Sequence, residues 1–347
     1  MKKYIAPTIK FALSLGIGLG LIFWFMGQMS AEDKQHVITD IKRANYFWVA
    51  VPPVLGLLSN FFRTQRWRLL LRPLGFNPGF WNTFFSVMIM YFLNLFFPRL
   101  GEVSRCGILA RYEKVPLDKS IGTMVVERVI DVICLGLIAM VLLVLEHDKF
   151  HSLWTQIITN SATTFGDIIA KYQLSSQVQY TVLGVVFVGV NLFIFYQARK
   201  RGTKSIIANL KERAEGLFRG VISVKDIGSP GEFLLHTVLI WTCYFMMVYL
   251  SFRMFPETAG LSLLAAGVAL FFGAMAQSLT PGGLGLFPIF TKIVLTLYGV
   301  TGSAAISLGL VNWTVQTVAV LVIGVISLVL LAIMNREPSL NEITLKT

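Results

Sequence analysis

Charge is what this chain has least of: only 14% of its 347 residues are Asp, Glu, Lys or Arg, against 55% that are hydrophobic. With a mean hydropathy of +0.69, there is too little polar surface to clothe a water-soluble globule of this length. Cysteine is nearly absent too. The three present, Cys106, Cys134 and Cys243, lie in or beside apolar segments with no CxxC spacing, which argues against a disulfide framework or a thiolate metal site. HExxH, GxxxxGK, GxSxG and an Asp-x-Asp suited to a metal-bound sugar nucleotide do not occur. Gly16-Ile17-Gly18-Leu19-Gly20 falls inside an apolar run and does not fit a dinucleotide turn. His36, His147, His151 and His236 are scattered. No metal or other cofactor is expected.

Long apolar runs fill the space that charge leaves. Windows longer than about 18 apolar residues recur along the whole chain, so it reads as one membrane domain over residues 1–347. The formal net charge of +12 is carried by lysines and arginines clustered between those runs. That is the positive-inside pattern, and it points to anionic lipid headgroups rather than nucleic acid as the partner.

In chain order, Lys2 and Lys3 precede a first span from Ile5 to Met26, and Glu32 to Arg43 is a short external segment. A second span starts near Tyr46, should kink at Pro52-Pro53, and ends in Arg63, Arg66, Arg68 and Arg72. Those arginines put that end in the cytoplasm, where they serve either as lipid-phosphate anchors or as substrate contacts. Trp81 to Phe97 is short for a crossing and has basic residues on both sides. The economical solution is a re-entrant hairpin that turns at Pro98 to Gly101 and returns as Glu102 to Tyr112. Asp118 caps a span from Ser120 to Leu145. An external amphipathic loop, 147–177, leads to a span from Tyr180 to Gln197 and a basic interfacial stretch from Lys204 to Lys225. Phe233 to Phe252 crosses outward. Leu261 to Leu279 enters, breaks at Pro281-Gly282-Gly283-Leu284-Gly285, and resumes from Leu286 to Val300; Ala304 to Met334 is the last span.

The expected fold is therefore an all-α polytopic membrane protein, with about six full transmembrane helices plus two re-entrant broken-helix hairpins. Its halves, about 1–146 and 178–334, repeat the order span, span, hairpin, span with inverted topology. Both termini are expected on the cytoplasmic side of a prokaryotic inner membrane. Asn94 precedes Pro98 by four residues and Gln277 precedes Pro281 by four, with Leu-Gly following each break.

Proline and glycine at such breaks leave backbone groups without helical partners, so each tip must line a protein-walled or watery cavity. Candidate substrate-binding residues are Arg99, Glu102 and Arg105 on the first hairpin and Glu127, Arg128 and Asp131 on the following span. Gln277, Pro281, Gly282, Gly283 and Lys292 belong to the second hairpin, and Asn312 and Gln316 form a neutral polar face on the last span. Arginines would neutralise a phosphate, and carboxylates would hold an amine or carry protons. The alternative is a structural role: Glu127, Arg128 and Asp131 would pair with Arg99 or Arg105 and pin hairpin to span, because an unpaired charge at the bilayer centre costs about 2.5–3.5 kcal/mol.

The ordered set Arg66-Trp67-Arg68-Leu69-Leu70, Pro98-Arg99-Leu100-Gly101-Glu102, Glu127-Arg128-x-x-Asp131 and Pro281-Gly282-Gly283-Leu284-Gly285 resembles the flippase-like lysylphosphatidylglycerol synthase transmembrane-region family over nearly the whole chain. The resemblance implies a prokaryotic membrane protein related to the flippase half of the multiple peptide resistance factor, which moves aminoacylated phosphatidylglycerol between leaflets. The chain stops soon after its last span, so the family's soluble aminoacyl-transferase domain is expected to be absent. Other relatives are associated with glycosylation of polyprenol lipids. The expectation is transport of a polar or anionic membrane lipid between leaflets. The rivals are a membrane glycosyltransferase or lipid-modifying enzyme using Glu102, Glu127 or Asp131 as a base, and a non-catalytic partner of a lipid synthase. Membrane lipids with anionic or zwitterionic headgroups are the expected partners, with a lipid synthase and a second copy of the chain as further ones.

Overall fold

The computed structural model describes residues 35, 39–40, 42–97, 100–146, 149, 227–300 and 302–335, and every regular element among them is helical. The expected first span, the loop 147–177 apart from Lys149, the span from Tyr180, the basic stretch from Lys204, and Pro98 and Arg99 lie outside the described residues.

Helix α1 (Tyr46–Leu71) begins at Asn45, whose side-chain oxygen accepts from the Phe47 N–H at 3.1 Å, and it runs on through Pro52 and Pro53. Neither proline can donate to the preceding turn. A short 3₁₀ turn, Arg72–Leu74, then closes on Gly75, whose φ of 86° only glycine adopts without cost.

Helices α2 (Phe80–Asn94) and α3 (Leu100–Tyr112) have 15 and 13 residues. At 1.5 Å per residue they reach only about 20 Å each, short of a hydrocarbon core of about 30 Å. They fold onto one another as a hairpin. Asn94 sets the turn by accepting the Gly101 N–H at 3.0 Å. Gly101 lies so close to α2 that a Cβ there would collide with the Met90 carbonyl oxygen.

Helix α4 (Leu117–Leu145) starts three residues before the expected boundary. Asp118 therefore sits inside its first turn and Pro116 occupies the N-cap; the carboxylate favours the positive helix end from there without capping it. Helices α5 (Pro230–Ser251), α6 (Leu263–Leu279), α7 (Leu286–Leu297) and α8 (Gly302–Met334) complete the described fold. Among the described residues, three stretches are long and apolar enough to cross a membrane: α4, α5 with its 3₁₀ extension to Met254, and α8 without its first residue. The shorter α6 and α7 form a second pair. The backbone between them turns through the 3₁₀ segment Pro281–Gly283, with Gly282, Gly283 and Gly285 at φ of 58°, 76° and 78°.

The two turns abut. A Cβ on Gly282 would lie 2.6 Å from Leu95 Cδ2, and Leu95 is the residue just past the end of α2. From α8, Trp313 donates its indole N–H to the Gly282 carbonyl at 3.0 Å. Helix α8 thus touches both pairs, and it meets α2 where Gly324 faces the Phe92 ring and α7 where Gly309 faces Pro288. In lipid, helix association draws on such close packing and on hydrogen bonds rather than on expulsion of water. Around Trp67, the buried Leu71, Val87, Met90, Cys106 and Leu109 lock α1, α2 and α3 together, and α5 packs along α1 from Trp48 to Leu70.

Candidate functional site

Three arginines and two acids meet where α1, α3 and α4 converge. On α1, Arg63 and Arg66 are three residues apart and share a face. On α4, Glu127 and Asp131 are four apart and share another. Glu127 Oε1 accepts from Arg63 Nη1 at 2.8 Å and Arg66 Nη2 at 3.1 Å, while its Oε2 accepts from Arg105 Nη2 at 2.7 Å. Asp131 takes Arg63 Nη1 on Oδ2 at 3.0 Å and Arg66 Nη2 on Oδ1 at 2.8 Å. Arg66, Arg105 and Glu127 are 0% exposed and Arg63 is 2% exposed. The reading of Arg63 and Arg66 as lipid-phosphate anchors is therefore corrected: α1 turns them inward, where buried carboxylates repay the desolvation that lipid would not.

A ring of polar and aromatic groups holds this cluster. Arg105 lies over the Trp67 ring at 4.3 Å, and the Trp67 indole donates to Thr123 Oγ1 at 3.0 Å. From α5, Tyr244 accepts from Arg63 Nη2 at 3.0 Å, and its hydroxyl is 3.5 Å from that of Tyr91 on α2. Thr237 accepts from Arg66 Nη1 at 3.5 Å. Five helices meet at one ionic centre.

Arg128 and Glu102 form its rim. Arg128 is 39% exposed and sits 3.9 Å from Glu102 and 3.7 Å from Asp131, too far for full hydrogen bonds to either. The cluster holds Arg63, Arg66, Arg105 and Arg128 against Glu102, Glu127 and Asp131, an excess of one positive charge. Nε of all four arginines and Nη1 of Arg105 are buried without a hydrogen-bond partner. Of the acids, Glu102 alone has an unpartnered buried oxygen, Oε2. Such a centre suits an anionic group, because unpaired guanidinium donors are costly in a low-dielectric interior. Among the described residues no group of His, Cys, Asp and Glu side chains could hold a metal ion.

Of the residues singled out in the sequence, Glu102, Arg105, Glu127, Arg128 and Asp131 come together here, and Arg99 lies outside the described residues. Gln277 is exposed near the end of α6, with its Cγ 3.1 Å from where a Gly283 Cβ would stand. Gly282 and Gly283 form the second turn, and the backbone of Pro281 opens it. Lys292 is half-buried on α7 and is not among the cluster's partners. Gln316 faces α1 about two turns from Arg63, its Oε1 3.4 Å from the position of a Gly56 Cβ, and Asn312, one turn away on α8, is buried. Sequence reasoning did not name Tyr91, Tyr244 or Thr237. The signal available for Arg63 and Arg66 was their spacing of three residues, which puts them on one helix face as the spacing of four does Glu127 and Asp131.

Residues 11–324 match the family described as the lysylphosphatidylglycerol synthase TM region. The chain belongs to that family. It is thus a multi-pass membrane protein, in agreement with its apolar helices. Two curated relatives are similar to parts of it. A UPF0104 membrane protein of Methanocaldococcus jannaschii is 30% identical over 98 residues, 27% of this chain and 29% of that protein. Glycosyltransferase AglD of Haloferax volcanii is 25% identical over 346 residues, 92% of this chain and 55% of that protein. This chain thus spans about half the length of AglD and under a third of the other relative. No solved structure matches.

Proposed function

We propose that this protein carries a polar or anionic membrane lipid between leaflets, with the arginine cluster as its headgroup site. The observation that carries the reading is the excess positive charge of a buried centre whose arginines keep unpartnered N–H groups, with half-exposed Arg128 at its rim. A lipid phosphate entering beside Arg128 would supply the missing acceptor while its acyl chains stay in the bilayer. The two pairs of short helices fit the broken elements of inverted-repeat transporters, whose sites lie near the membrane midplane. On this reading the fold has about six full spans and two re-entrant hairpins, with both termini cytoplasmic. The test is interleaflet movement of labelled lipids in proteoliposomes: acceleration for at least one anionic, zwitterionic or isoprenoid lipid is expected. Movement at the rate of protein-free vesicles across that whole panel would end the proposal.

The similarity to a protein named a glycosyltransferase keeps a second reading, a lipid-modifying enzyme. Glu127 and Asp131 are engaged on both oxygens by arginines, which leaves Glu102, with its unpartnered Oε2, as the one acid of the cluster placed to take a proton. A glycosylated or otherwise modified lipid product that vanishes in Glu102→Gln, with the fold intact, would favour it.

A further inference from the structure

Away from the ionic centre, the face of α1 that carries Arg63 continues through Asn60 to Gly56 at spacings of three and four residues. Asn60 is 8% exposed. Beside Gly56 stand Gln316 of α8 and the flexible Met247 of α5, their side-chain atoms 3.4 and 3.6 Å from where a Cβ would be. One turn from Gln316 along α8 is Asn312, 7% exposed. Asn312 Oδ1 and Gln316 Nε2 are both buried without a hydrogen-bond partner. Amides inside an apolar helix ordinarily justify their cost by bonding across to a neighbour. Those two atoms bond to nothing, so helix pairing does not explain them. The Gln316 amide sits where α1, α5 and α8 meet at Gly56, beside the flexible Met247 side chain that can move aside.

We propose that Asn60, Gly56, Met247, Gln316 and Asn312 line a neutral hydrogen-bonding lane that receives the hydroxyl-bearing part of an anionic headgroup. It starts at the Arg63–Tyr244 pair, the edge of the arginine cluster whose Arg128 rim takes the phosphate. This rests on the transport reading above and gives it a direction. Seven residues along a helix is about 10 Å, so phosphate and hydroxyl stations lie about one headgroup apart. Amide groups offer a donor and an acceptor at once and match alcohol hydroxyls without adding charge. The lane therefore favours phosphoglycerol-like or sugar-phosphate headgroups over compact ones that carry no hydroxyl.

The lane is tested independently of transport. In a full-length variant with Cys106, Cys134 and Cys243 replaced, Asn312→Cys and Gln316→Cys in proteoliposomes are treated with a water-soluble methanethiosulfonate, alongside Val325→Cys on the exposed face of α8. Expected is reaction at least about tenfold faster at the two lane positions than at Val325→Cys, slowed when phosphatidylglycerol is added to the bilayer. Reaction at the Val325→Cys rate overturns the lane even if wild-type protein moves lipid. Conversely, fast protected labelling in a protein that moves no lipid keeps the lane as a binding cavity and ends only the transport reading. In transport assays Gly56→Val, which fills the lane, and the gentler Gly56→Ala should slow phosphatidylglycerol in order of size. Equal rates in both folded variants and wild type would also overturn the proposal.

Discussion

Arg105 on α3 and Glu127 on α4 are joined at 2.7 Å with neither side chain exposed, so the first hairpin is tied to the following span by an ion pair sealed inside the protein. The same carboxylate receives Arg63 and Arg66 from α1. One acid thus answers three guanidiniums, and its loss should cost more than the loss of any one arginine.

Glu127→Gln leaves those three buried guanidiniums without their shared acceptor charge. Breaking one side of a buried ionic group costs about 3–5 kcal/mol. Thermal unfolding in detergent should show a loss of that order, larger than in Arg105→Gln. A Glu127→Gln protein as stable as wild type would mean that the acid is not structural.

Arg128 separates binding from pinning. It is 39% exposed with ion-pair distances of 3.7 and 3.9 Å, so Arg128→Gln should cost under about 1 kcal/mol of stability. Lipid movement should nonetheless fall about tenfold or more. Unchanged transport in a folded Arg128→Gln protein would move the headgroup site elsewhere.

The contact between the two turns is open to a double-mutant cycle. Gly282 has φ of 58° and its Cβ position is 2.6 Å from Leu95 Cδ2. Gly282→Ala carries a backbone cost of about 1–2 kcal/mol and a steric one. Leu95→Ala should relieve only the steric part, so the pair should be less harmful than the sum of the singles. Strict additivity would place the turns apart.

Gly101→Ala should be the more damaging glycine substitution. Its Cβ meets the Met90 carbonyl oxygen, which is backbone and cannot swing aside as Leu95 can. Overpacking of this kind costs about 1–3 kcal/mol. Opening of the α2–α3 hairpin, read by hydrogen exchange at Gly101 and its neighbours, is the expected result.

Much of the fold was legible because membranes make local composition decisive. The breaks near Asn94 and at Pro281, the shortness of the flanking runs, and the helical state of the apolar runs described between them follow from span length, proline and glycine. The boundaries of α2, α5, α6 and α8 fell within three residues of the expected ones. Pairing at the site was only half legible. That Glu127 and Asp131 share a face is a matter of helix period, and so is the shared face of Arg63 and Arg66.

That these two faces look at each other is not a local property. Arg63 and Glu127 are 64 residues apart, and an arginine near a helix end has two low-energy fates, outward to a lipid phosphate or inward to a carboxylate. The sequence by itself determined an all-helical membrane protein with two interrupted helices and a surplus of positive charge. Only the tertiary structure decided where that charge goes. The rotation of α1, set by the packing of Trp67 against α2 and α3, carries Arg63 and Arg66 away from lipid and onto Glu127 and Asp131.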